Sequence, residues 1–507
     1  MTKKAHKATT NYLVAKPGAN LLILGLSSAE LDTELESYYV DPDRYVARAL
    51  DFKDPAVFFV GPKGAGKSAI LQMIRLRRAQ DSGRVINITP DDLAFSALAN
   101  ITASTPIMSD ASKNQWLFKA LWDYILALEV LRREHKDRSS FSNALHKIVQ
   151  FFFGNSHQKE ADRLLAISLG DDGRQMTLSS QIIELVKEVE LTAEMKEAVK
   201  VSGKAKLEGG PNKANHLWLL NLIHSVAKRI GENLKAPYHI LIDDLDLHWQ
   251  DLPIQNAFIA ALFMSLRAFA KGENLKCVVA IRDQIYRKLP LTDRDKYHDW
   301  VCNVEWESPN LKKMIERRIT SKINVSTRNI WGGLLPDGAF ARMYKHSYGR
   351  PREAIRLASL AVAEASRKRH TQVEDQDLDE SIRKFSDMRI TEISDEFSHI
   401  RSGLEQIIRK LGVLPKEFQV VKLKEITGDI WIEIECKDDI ANNYPWAGGY
   451  AENPKGFGKI LLECGILLYK ATQRAEPVLY DVDASPEVSE STWVAIHPVF
   501  WPALGLD

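Results

Sequence analysis

A glycine-rich segment early in the chain carries the residue types that hold phosphate. It reads Gly-Pro-Lys-Gly-Ala-Gly-Lys-Ser from Gly61 to Ser68. Its glycines let successive backbone N–H groups point inward, where they and the positive end of a following helix hold the β- and γ-phosphates of a nucleotide. Lys67 adds a point charge for the same phosphates, and the Ser68 hydroxyl is a ligand for Mg²⁺. The segment therefore predicts a site for ATP and Mg²⁺ formed by Gly61, Pro62, Lys63, Gly64, Ala65, Gly66, Lys67, Ser68 and Ala69.

An acidic cluster much later in the chain is the expected partner of this loop. The apolar run from His239 ends in Asp-Asp-Leu-Asp, at positions 243 to 246. Acids so close together are costly unless a cation is nearby. Asp243 is predicted to hold Mg²⁺ through a water, and Asp244 to polarise the attacking water. A direct role for Asp246 stays open, because the alternative is a solvated turn in which Asp246 or Asp251 caps the next helix.

Arg282 is a candidate for contacting the phosphates. It follows the apolar run that begins at Cys277, and the carboxyl ends of parallel strands line a nucleotide crevice. An arginine there could sense the γ-phosphate or stabilise charge that develops during transfer. A structural ion pair with Asp243 or Asp283 is an equal alternative.

Arg352 is the second candidate arginine. It belongs to Gly-Arg-Pro-Arg-Glu, from Gly349 to Glu353, at the start of a predicted long helix. From the first turn of that helix, Arg352 is expected to point back toward the nucleotide-binding core. Arg317 and Arg318, on the preceding predicted helix, are candidates for a surface or interface.

The elements that must position these residues are predicted from periodicity. Ala56–Val60, directly before the glycine segment, is short and wholly apolar, as is typical of a strand buried on both faces. Tyr238–Ile242 and Cys277–Ile281 repeat this pattern, and Val85–Ile88 is a further predicted strand. Ser68–Gln80 has helical periodicity. The order strand, glycine loop, helix predicts an α/β fold with a parallel sheet.

Changes of pattern divide the chain into segments. Apolar residues recur at three- and four-residue steps after residue 100, and Lys196–Asn215, rich in lysine and glycine, is typical of a loop. The predicted segments are a lead-in (1–50), two parts of a nucleotide-binding core (51–99 and 216–305), a helical insertion between them (100–215), a helical lid (306–388) and a winged-helix-like domain (389–507).

Composition limits the classes of function. The formal net charge is +1, so any nucleic-acid site must be a local patch. No cysteine is part of a CxxC pair, which argues against zinc and fits a reducing cytoplasm with thiols as core fillers; the four are Cys277, Cys302, Cys436 and Cys464. The apolar run Ala257–Met264 is far shorter than the roughly 18 residues of a membrane span. We therefore expect a cytoplasmic protein without membrane contact.

Taken together, these motifs resemble the AAA+/STAND superclass of P-loop ATPases over roughly residues 35–385. The Ile-Asp-Asp-Leu-Asp form is similar to KAP-type ATPases, and the Gly-x-Pro-Arg lid with a C-terminal winged helix is similar to origin-recognition and STAND ATPases. The overall likeness is to prokaryotic P-loop ATPases of phage-defence loci. This resemblance implies a sheet of strand order 5-1-4-3-2, an all-helical lid, and switching or oligomerisation driven by the nucleotide.

The chain departs from these families at three points. KAP proteins typically carry membrane segments, and none is visible in this sequence. Arg282 replaces the polar residue that these families usually have on the fourth strand. Many members have glutamate where this chain has Asp244. Because aspartate is shorter, slow hydrolysis, or a switch that mainly binds, is the expected consequence.

The C-terminal region is predicted to hold three helices followed by a β-wing from Ile466 to His497. If it bound DNA, Lys455 and Lys459 on the third helix, with Lys470 and Arg474 in the wing, would meet phosphates. Acids are also dense in this region, so packing against a partner or within the chain is favoured over DNA.

Three tyrosines, Tyr38, Tyr39 and Tyr45, lie just before the first core strand. One of them could stack on the adenine base. Packing against the edge of the sheet is the favoured alternative.

The leading hypothesis is an ATP-binding and ATP-hydrolysing regulatory switch in prokaryotic anti-phage defence. It would act as a homo-oligomer, or on a separate effector, since no nuclease or protease constellation is visible in this chain. The alternative is a DNA-associated ATPase of the origin-recognition type that binds DNA through its C-terminal domain. A small-molecule kinase fits poorly with the lid and the C-terminal module.

Overall fold

Our computed structural model covers most of the chain between residues 24 and 506. The described residues are 24–81, 84–89, 115–135, 138–153, 162, 224–225, 227, 229, 234, 236–245, 253–269, 274–292, 294–323, 325–347, 349–398, 401–435, 444–450, 452–480 and 487–506. The chain divides into two units. The sheet unit comprises Asp43–Lys63 and Lys67–Val304, and the helical unit comprises Met1–Pro42, Gly64–Gly66 and Glu305–Asp507.

Two short helices precede the first strand: α1 (Leu35–Tyr38) in the helical unit and α2 (Tyr45–Leu50) in the sheet unit. Tyr45, at the start of α2, packs edge-on against Phe59 of the first strand with ring centroids 6.5 Å apart. Tyr45 therefore packs against the sheet, as the favoured alternative expected.

The sheet unit is built on a five-stranded parallel sheet. Its strands are β1 (Phe58–Gly61), β2 (Arg84–Ile88), β3 (Tyr238–Ile242), β4 (Leu275–Arg282) and β5 (Val301–Asn303). The spatial order is β2-β3-β4-β1-β5, and every neighbouring pair is parallel. The predicted α/β fold and the order 5-1-4-3-2 are therefore confirmed. All residues of β1 and β3 are buried, which is why these strands, His239 of β3 apart, are apolar rather than alternating.

Helices cover this sheet. They are α3 (Lys67–Gln80), α4 (Gln115–Glu134), α5 (Arg138–Phe153), α6 (Pro253–Phe269) and α7 (Asp283–Lys288). Phe58 of β1 stacks on Phe263 of α6 with ring centroids 3.5 Å apart. The other side of α6 receives α4: Trp122 stacks on Phe258, and its indole N–H donates to the Phe258 carbonyl at 2.9 Å.

A buried carboxylate also joins α4 to α6. Asp123 is 2% exposed and accepts from the Ser265 hydroxyl at 2.5 Å, from Lys119 at 2.5 Å and from His224 at 3.0 Å. Its charge is thus balanced inside the unit. The described helices of the predicted insertion, α4 and α5, therefore belong to the sheet unit. The rest of that insertion, including the predicted loop Lys196–Asn215, lies outside the described residues.

Among the described residues, the first four α-helices after β5 in the helical unit are α8 (Ser308–Lys322), α9 (Ala339–Ser347), α10 (Pro351–Arg367) and α11 (Asp375–Phe397). Proline stands in the first turn of α8 and of α10, where a missing N–H costs nothing. A capping box between Glu374 and Asp377 fixes the start of α11.

The C-terminal part of the helical unit has the winged-helix order. It runs α12 (Leu404–Lys410), β6 (Glu417–Gln419), α13 (Lys424–Glu435), α14 (Pro454–Glu463), β7 (Leu467–Lys470), β8 (Trp493–Ile496) and a last turn, α15 (Trp501–Leu504). The strands form an antiparallel sheet of order β6-β8-β7. The predicted winged-helix-like domain is therefore confirmed.

The part of the lead-in between Leu24 and Tyr38 is anchored to α8. Arg318 is 5% exposed; its guanidinium lies 4.5 Å from the Tyr38 ring centroid, donates to the Leu24 carbonyl at 2.5 Å and pairs with Asp32 at 3.3 Å. The interpretation of Arg318 as a surface or interface residue is therefore wrong. Tyr38 is 1% exposed and donates its hydroxyl to Asp32, so this ring is closed to a base.

Among the described residues, no helix combines the length and the apolar character that crossing a membrane requires. The described cysteines, Cys277, Cys302 and Cys464, are buried, as expected of core fillers, and Cys436 lies outside the described residues.

Candidate nucleotide site

The glycine segment forms a tight loop between a strand and a helix. β1 ends at Gly61 and α3 begins at Lys67. Gly64 has φ +83° and Gly66 has φ +93°, a region that side chains disfavour. The backbone therefore favours glycine at positions 64 and 66, on either side of Ala65. The loop leads directly into the N-terminus of α3.

Lys67 folds back along the loop. Its ammonium donates to the carbonyls of Gly61 at 2.8 Å and Pro62 at 2.9 Å. These two carbonyls hold the positive charge of Lys67 beside the loop, and the N-terminus of α3 follows the loop directly. Both features attract an anion of the size of a phosphate.

The predicted acids lie at the carboxyl end of β3. The Asp243 N–H donates to the Ile88 carbonyl of β2 at 3.3 Å, and the Asp243 carboxylate accepts the Asp244 N–H at 3.0 Å. Asp244 is exposed and has φ +56°, so its backbone is in the left-handed region that aspartate tolerates better than most residues. Asp246 and Asp251 lie outside the described residues.

Arg282 is the last residue of β4 and pairs in register with Gly61 of β1. It is half-buried and stands level with the first residue of the loop. Asp283, the alternative partner that the sequence suggested, forms an ion pair with Arg287 at 3.6 Å and accepts the Gln284 N–H at 2.9 Å.

In the sheet unit, then, the first residue of the loop, the two acids and Arg282 stand at the carboxyl ends of β1, β3 and β4. This edge is where open parallel sheets bind ligands. Oxygen ligands from Ser68 and Asp243 suit Mg²⁺, which prefers hard oxygen donors.

The apex of the loop, Gly64–Gly66, groups with the helical unit, and three residues of that unit contact it. The backbone N–H of Arg352, in the first turn of α10, donates to the Gly64 carbonyl at 3.3 Å. The indole N–H of Trp306 donates to the Ala65 carbonyl at 2.8 Å. The structure thus brings Arg352 against the loop.

Glu353 is the third residue at the apex. It is 5% exposed, and a Cβ added to Gly64 would lie 2.7 Å from its Oε2. Its other oxygen lies 3.9 Å from the Arg389 guanidinium of α11. A side chain at position 64 would have to displace this carboxylate.

Sequence reasoning missed Trp306 and Glu353. Glu353 stands beside Arg352 in the Gly-x-Pro-Arg motif, and that proximity was the available signal. Trp306 lies between two glutamates just after a three-residue strand, where no periodicity marks it.

The lysines predicted to meet DNA are engaged with acids. On α14, Lys455 pairs with Glu487 at 2.6 Å and Lys459 lies 4.0 Å from Glu463. Lys470 is 4% exposed and ion-paired with Glu417 of β6, so its predicted contact with phosphate is wrong. Arg474 is exposed. Acids thus balance the three lysines.

Comparison with known proteins gives one partial family match and one curated relative. Residues 309–394, from α8 to α11, match the family model described as "FunZ-associated C-terminal helical domain". The chain is 21% identical over 391 residues to the "Putative transposon gamma-delta 80.3 kDa protein" of Escherichia coli (strain K12). That match covers 74% of this chain and 51% of the relative, so the chain spans about half the length of the relative.

Two of the similar solved structures match over nearly the whole chain. One is the Aeropyrum pernix ORC1 protein in complex with DNA, with 13% identity, 96% of both chains covered and a TM-score of 0.38. The other is Drosophila ORC bound to DNA, with 10% identity, 97% of this chain and 94% of that chain covered, and a TM-score of 0.31. The assignment of the fold rests on the strand order and the loop described above.

Proposed function

We propose that this chain binds ATP with Mg²⁺ through Gly61–Ser68 and hydrolyses it as a regulatory switch. The observation that carries the proposal is the phosphate loop at the carboxyl edge of a parallel sheet, with Asp243, Asp244 and Arg282 at the ends of β3 and β4. Carboxylates that hold Mg²⁺ and accept a proton, and a cationic side chain that stabilises charge on the γ-phosphate, are the groups that phosphoryl transfer to water requires. Asp243, Asp244 and Arg282 bring such groups to one edge of the sheet.

Each residue has a proposed role. Lys67 and the loop N–H groups bind the β- and γ-phosphates, and Ser68 and Asp243 hold Mg²⁺, which supplies charge neutralisation when bound. Asp244 accepts a proton from the attacking water. Arg282 stabilises charge on the γ-phosphate. The backbone N–H of Arg352 bonds the Gly64 carbonyl, which places this residue beside the loop, and its side chain is proposed to respond to the bound nucleotide.

A switch is favoured over a metabolic kinase by the helical unit. Its residues Trp306 and Arg352 hydrogen-bond the loop apex, and its C-terminal part is a winged-helix domain. A change at the loop thus has direct contacts through which to act. The motif resemblance extends this proposal to control of a separate effector in anti-phage defence, for which ATP-dependent co-purification of that effector from host cells is the test.

A DNA-associated ATPase is the alternative, and the winged-helix order favours it. The pairing of Lys455 with Glu487 and of Lys470 with Glu417 favours a protein partner instead. Duplex binding that weakens as salt rises, and that is lost when Lys455 and Lys459 become glutamate, would decide for DNA.

Two substitutions test the ATPase proposal. Lys67→Ala removes a charged contact to phosphate and should raise the Kd for ATP by at least about tenfold. Asp244→Asn keeps the size of the side chain but removes the base, so kcat should fall by roughly 10² to 10⁴ with ATP affinity unchanged. The measurements are calorimetric titration with MgATP and phosphate release.

Matched controls are Lys53→Ala and Asp299→Asn, which change exposed residues of the sheet unit. Both should behave as the wild type does. Undiminished ATP binding by Lys67→Ala would refute the site, and equal turnover by Asp244→Asn would remove that residue from catalysis.

A further inference from the structure

We infer that Trp306 is a positioning residue for the phosphate loop: its indole N–H orients the Ala65 peptide so that the next N–H faces the bound phosphates. The inference rests on the proposed nucleotide-binding function. It assigns to Trp306 a part that the glycine motif itself does not contain.

Trp306 donates a hydrogen bond to the apex of the loop. Trp306 Nε1 lies 2.8 Å from the Ala65 carbonyl oxygen, a good distance for an N–H donor. A second donor acts one residue earlier, where the Arg352 N–H bonds the Gly64 carbonyl at 3.3 Å. Two consecutive carbonyls of the loop, those of Gly64 and Ala65, are therefore turned toward Arg352 and Trp306.

The geometry of the trans peptide links the direction of these carbonyls to the direction of the loop N–H groups. No peptide bond among the described residues is cis. In a trans peptide, the carbonyl of one residue and the N–H of the next point in opposite directions. Turning the Gly64 and Ala65 carbonyls toward Arg352 and Trp306 therefore turns the Ala65 and Gly66 N–H groups away from them. Consecutive N–H groups that face one way form the concave anion site of a phosphate loop.

The backbone of Trp306 lies beside the turn at Gly349. Trp306 is half-buried, and a Cβ added to Gly349 would lie 3.6 Å from its carbonyl oxygen and 3.5 Å from the Tyr344 hydroxyl. Gly349, with φ +69°, forms the turn that leads into α10 and Arg352. The Trp306 backbone therefore lies close to the turn that leads to Arg352, the second donor.

The consequence is preorganisation. Glycines at positions 64 and 66 give the loop many alternative backbone conformations. A loop already held with its N–H groups in one direction loses less freedom when phosphate binds. Removing the indole N–H should therefore weaken binding of the phosphates and leave the chemical step unchanged.

The experiment compares Trp306→Phe, which keeps an aromatic ring without the N–H, with the wild type. The Kd values for MgATP and MgADP, measured by calorimetry, should both rise by about two- to tenfold, the range of one hydrogen bond. In turnover, KM should rise and kcat should stay unchanged. Unchanged Kd values for both nucleotides would overturn the inference.

Trp446→Phe is the matched control, since the Trp446 indole donates to the Ser402 carbonyl at 2.8 Å elsewhere in the helical unit. Nucleotide affinity should be the same as in the wild type. Any nucleotide-induced change in tryptophan fluorescence should be retained in Trp446→Phe and reduced in Trp306→Phe. The opposite pattern would contradict the assignment.

A third variant guards against a packing defect. The amide nitrogen of glutamine is as many bonds from the backbone as the indole nitrogen, so Trp306→Gln keeps a donor and loses the ring. Affinity nearer the wild type in Trp306→Gln than in Trp306→Phe supports the hydrogen bond; the reverse order refutes it. The proposed function fails separately, if the wild type binds no ATP or Lys67→Ala binds it equally well.

Discussion

At the scale of single residues, the candidate site depends on backbone conformations that few residue types adopt. Gly64 and Gly66 have positive φ. Among the described residues that are not glycine, three have positive φ: Arg44, Asp244 and Arg369. A non-glycine residue in this region persists only where surrounding contacts hold it. The Asp244 N–H bond to the Asp243 carboxylate is one such contact.

Gly64→Ala tests how tightly the loop is fitted. The new Cβ would meet the Glu353 carboxylate at 2.7 Å, and alanine at φ +83° costs about 1–2 kcal/mol. The Kd for MgATP should therefore rise roughly tenfold or more. Gly428→Ala is the control, because a Cβ there meets nothing within 4 Å. Wild-type affinity in Gly64→Ala would show that the loop has room to adjust.

At the scale of elements, β3 combines two candidate site residues at its end with a buried titratable group near its start. Asp243 and Asp244 follow its carboxyl end, whereas His239, near its start, is fully buried and packs edge-on against Phe52 with ring centroids 4.8 Å apart. Burial, with a further contribution from the charge of Arg78, lowers the pKa of His239 to about 3. This imidazole is therefore neutral in the folded strand at pH 7.

The pKa of His239 predicts acid sensitivity of the sheet unit. Because the unfolded chain binds a proton near pH 6.5 and the folded chain does not until about pH 3, stability falls as pH drops through this window. The expected slope is about 1.4 kcal/mol per pH unit at most. Urea unfolding of wild type and His239→Gln from pH 7.5 to 4.5 should give a shallower pH dependence for the variant.

His298→Gln, which changes an exposed histidine of the same unit, should keep the wild-type dependence. If His239→Gln and wild type lost stability in parallel, another group would be responsible for the acid sensitivity.

At the scale of the whole molecule, the chain combines a sheet unit, which carries most of the proposed nucleotide site, with a helical unit that ends in a winged helix. Acids lie beside Lys455, Lys459 and Lys470 of that winged helix, and we therefore propose a protein surface, including a second copy of the chain, as its partner. Nucleotide can shift an assembly equilibrium only by binding one assembly state more tightly than another. ATP-controlled self-association is therefore a measurable consequence of the proposed switch.

Mass measurement by light scattering tests this consequence. With MgATP, the wild type should shift to a higher mass than with MgADP, and Lys67→Ala should show the same mass under both conditions. Identical masses for the wild type with and without ATP would remove self-association from the proposal and leave control of a separate protein.

The sequence by itself determined the features whose causes are local. Gly61–Ser68 predicted the loop because positive φ requires glycine, and β1, β3 and β4 were predicted from runs that are apolar because both faces of the strand are buried. The order of three helices and a wing also followed from periodicity. β5 escaped prediction, since three residues carry too little pattern.

Only the tertiary structure decided the contacts between residues far apart in the chain. Trp306 reaches Ala65, Glu353 lies against Gly64, Arg318 is buried beneath Tyr38, and Lys470 pairs with Glu417. No periodicity records such pairs, because each depends on where the fold brings a distant backbone or side chain. The loop could thus be read from the sequence, but the donors that hold its apex could not, because they come from residues more than two hundred positions away.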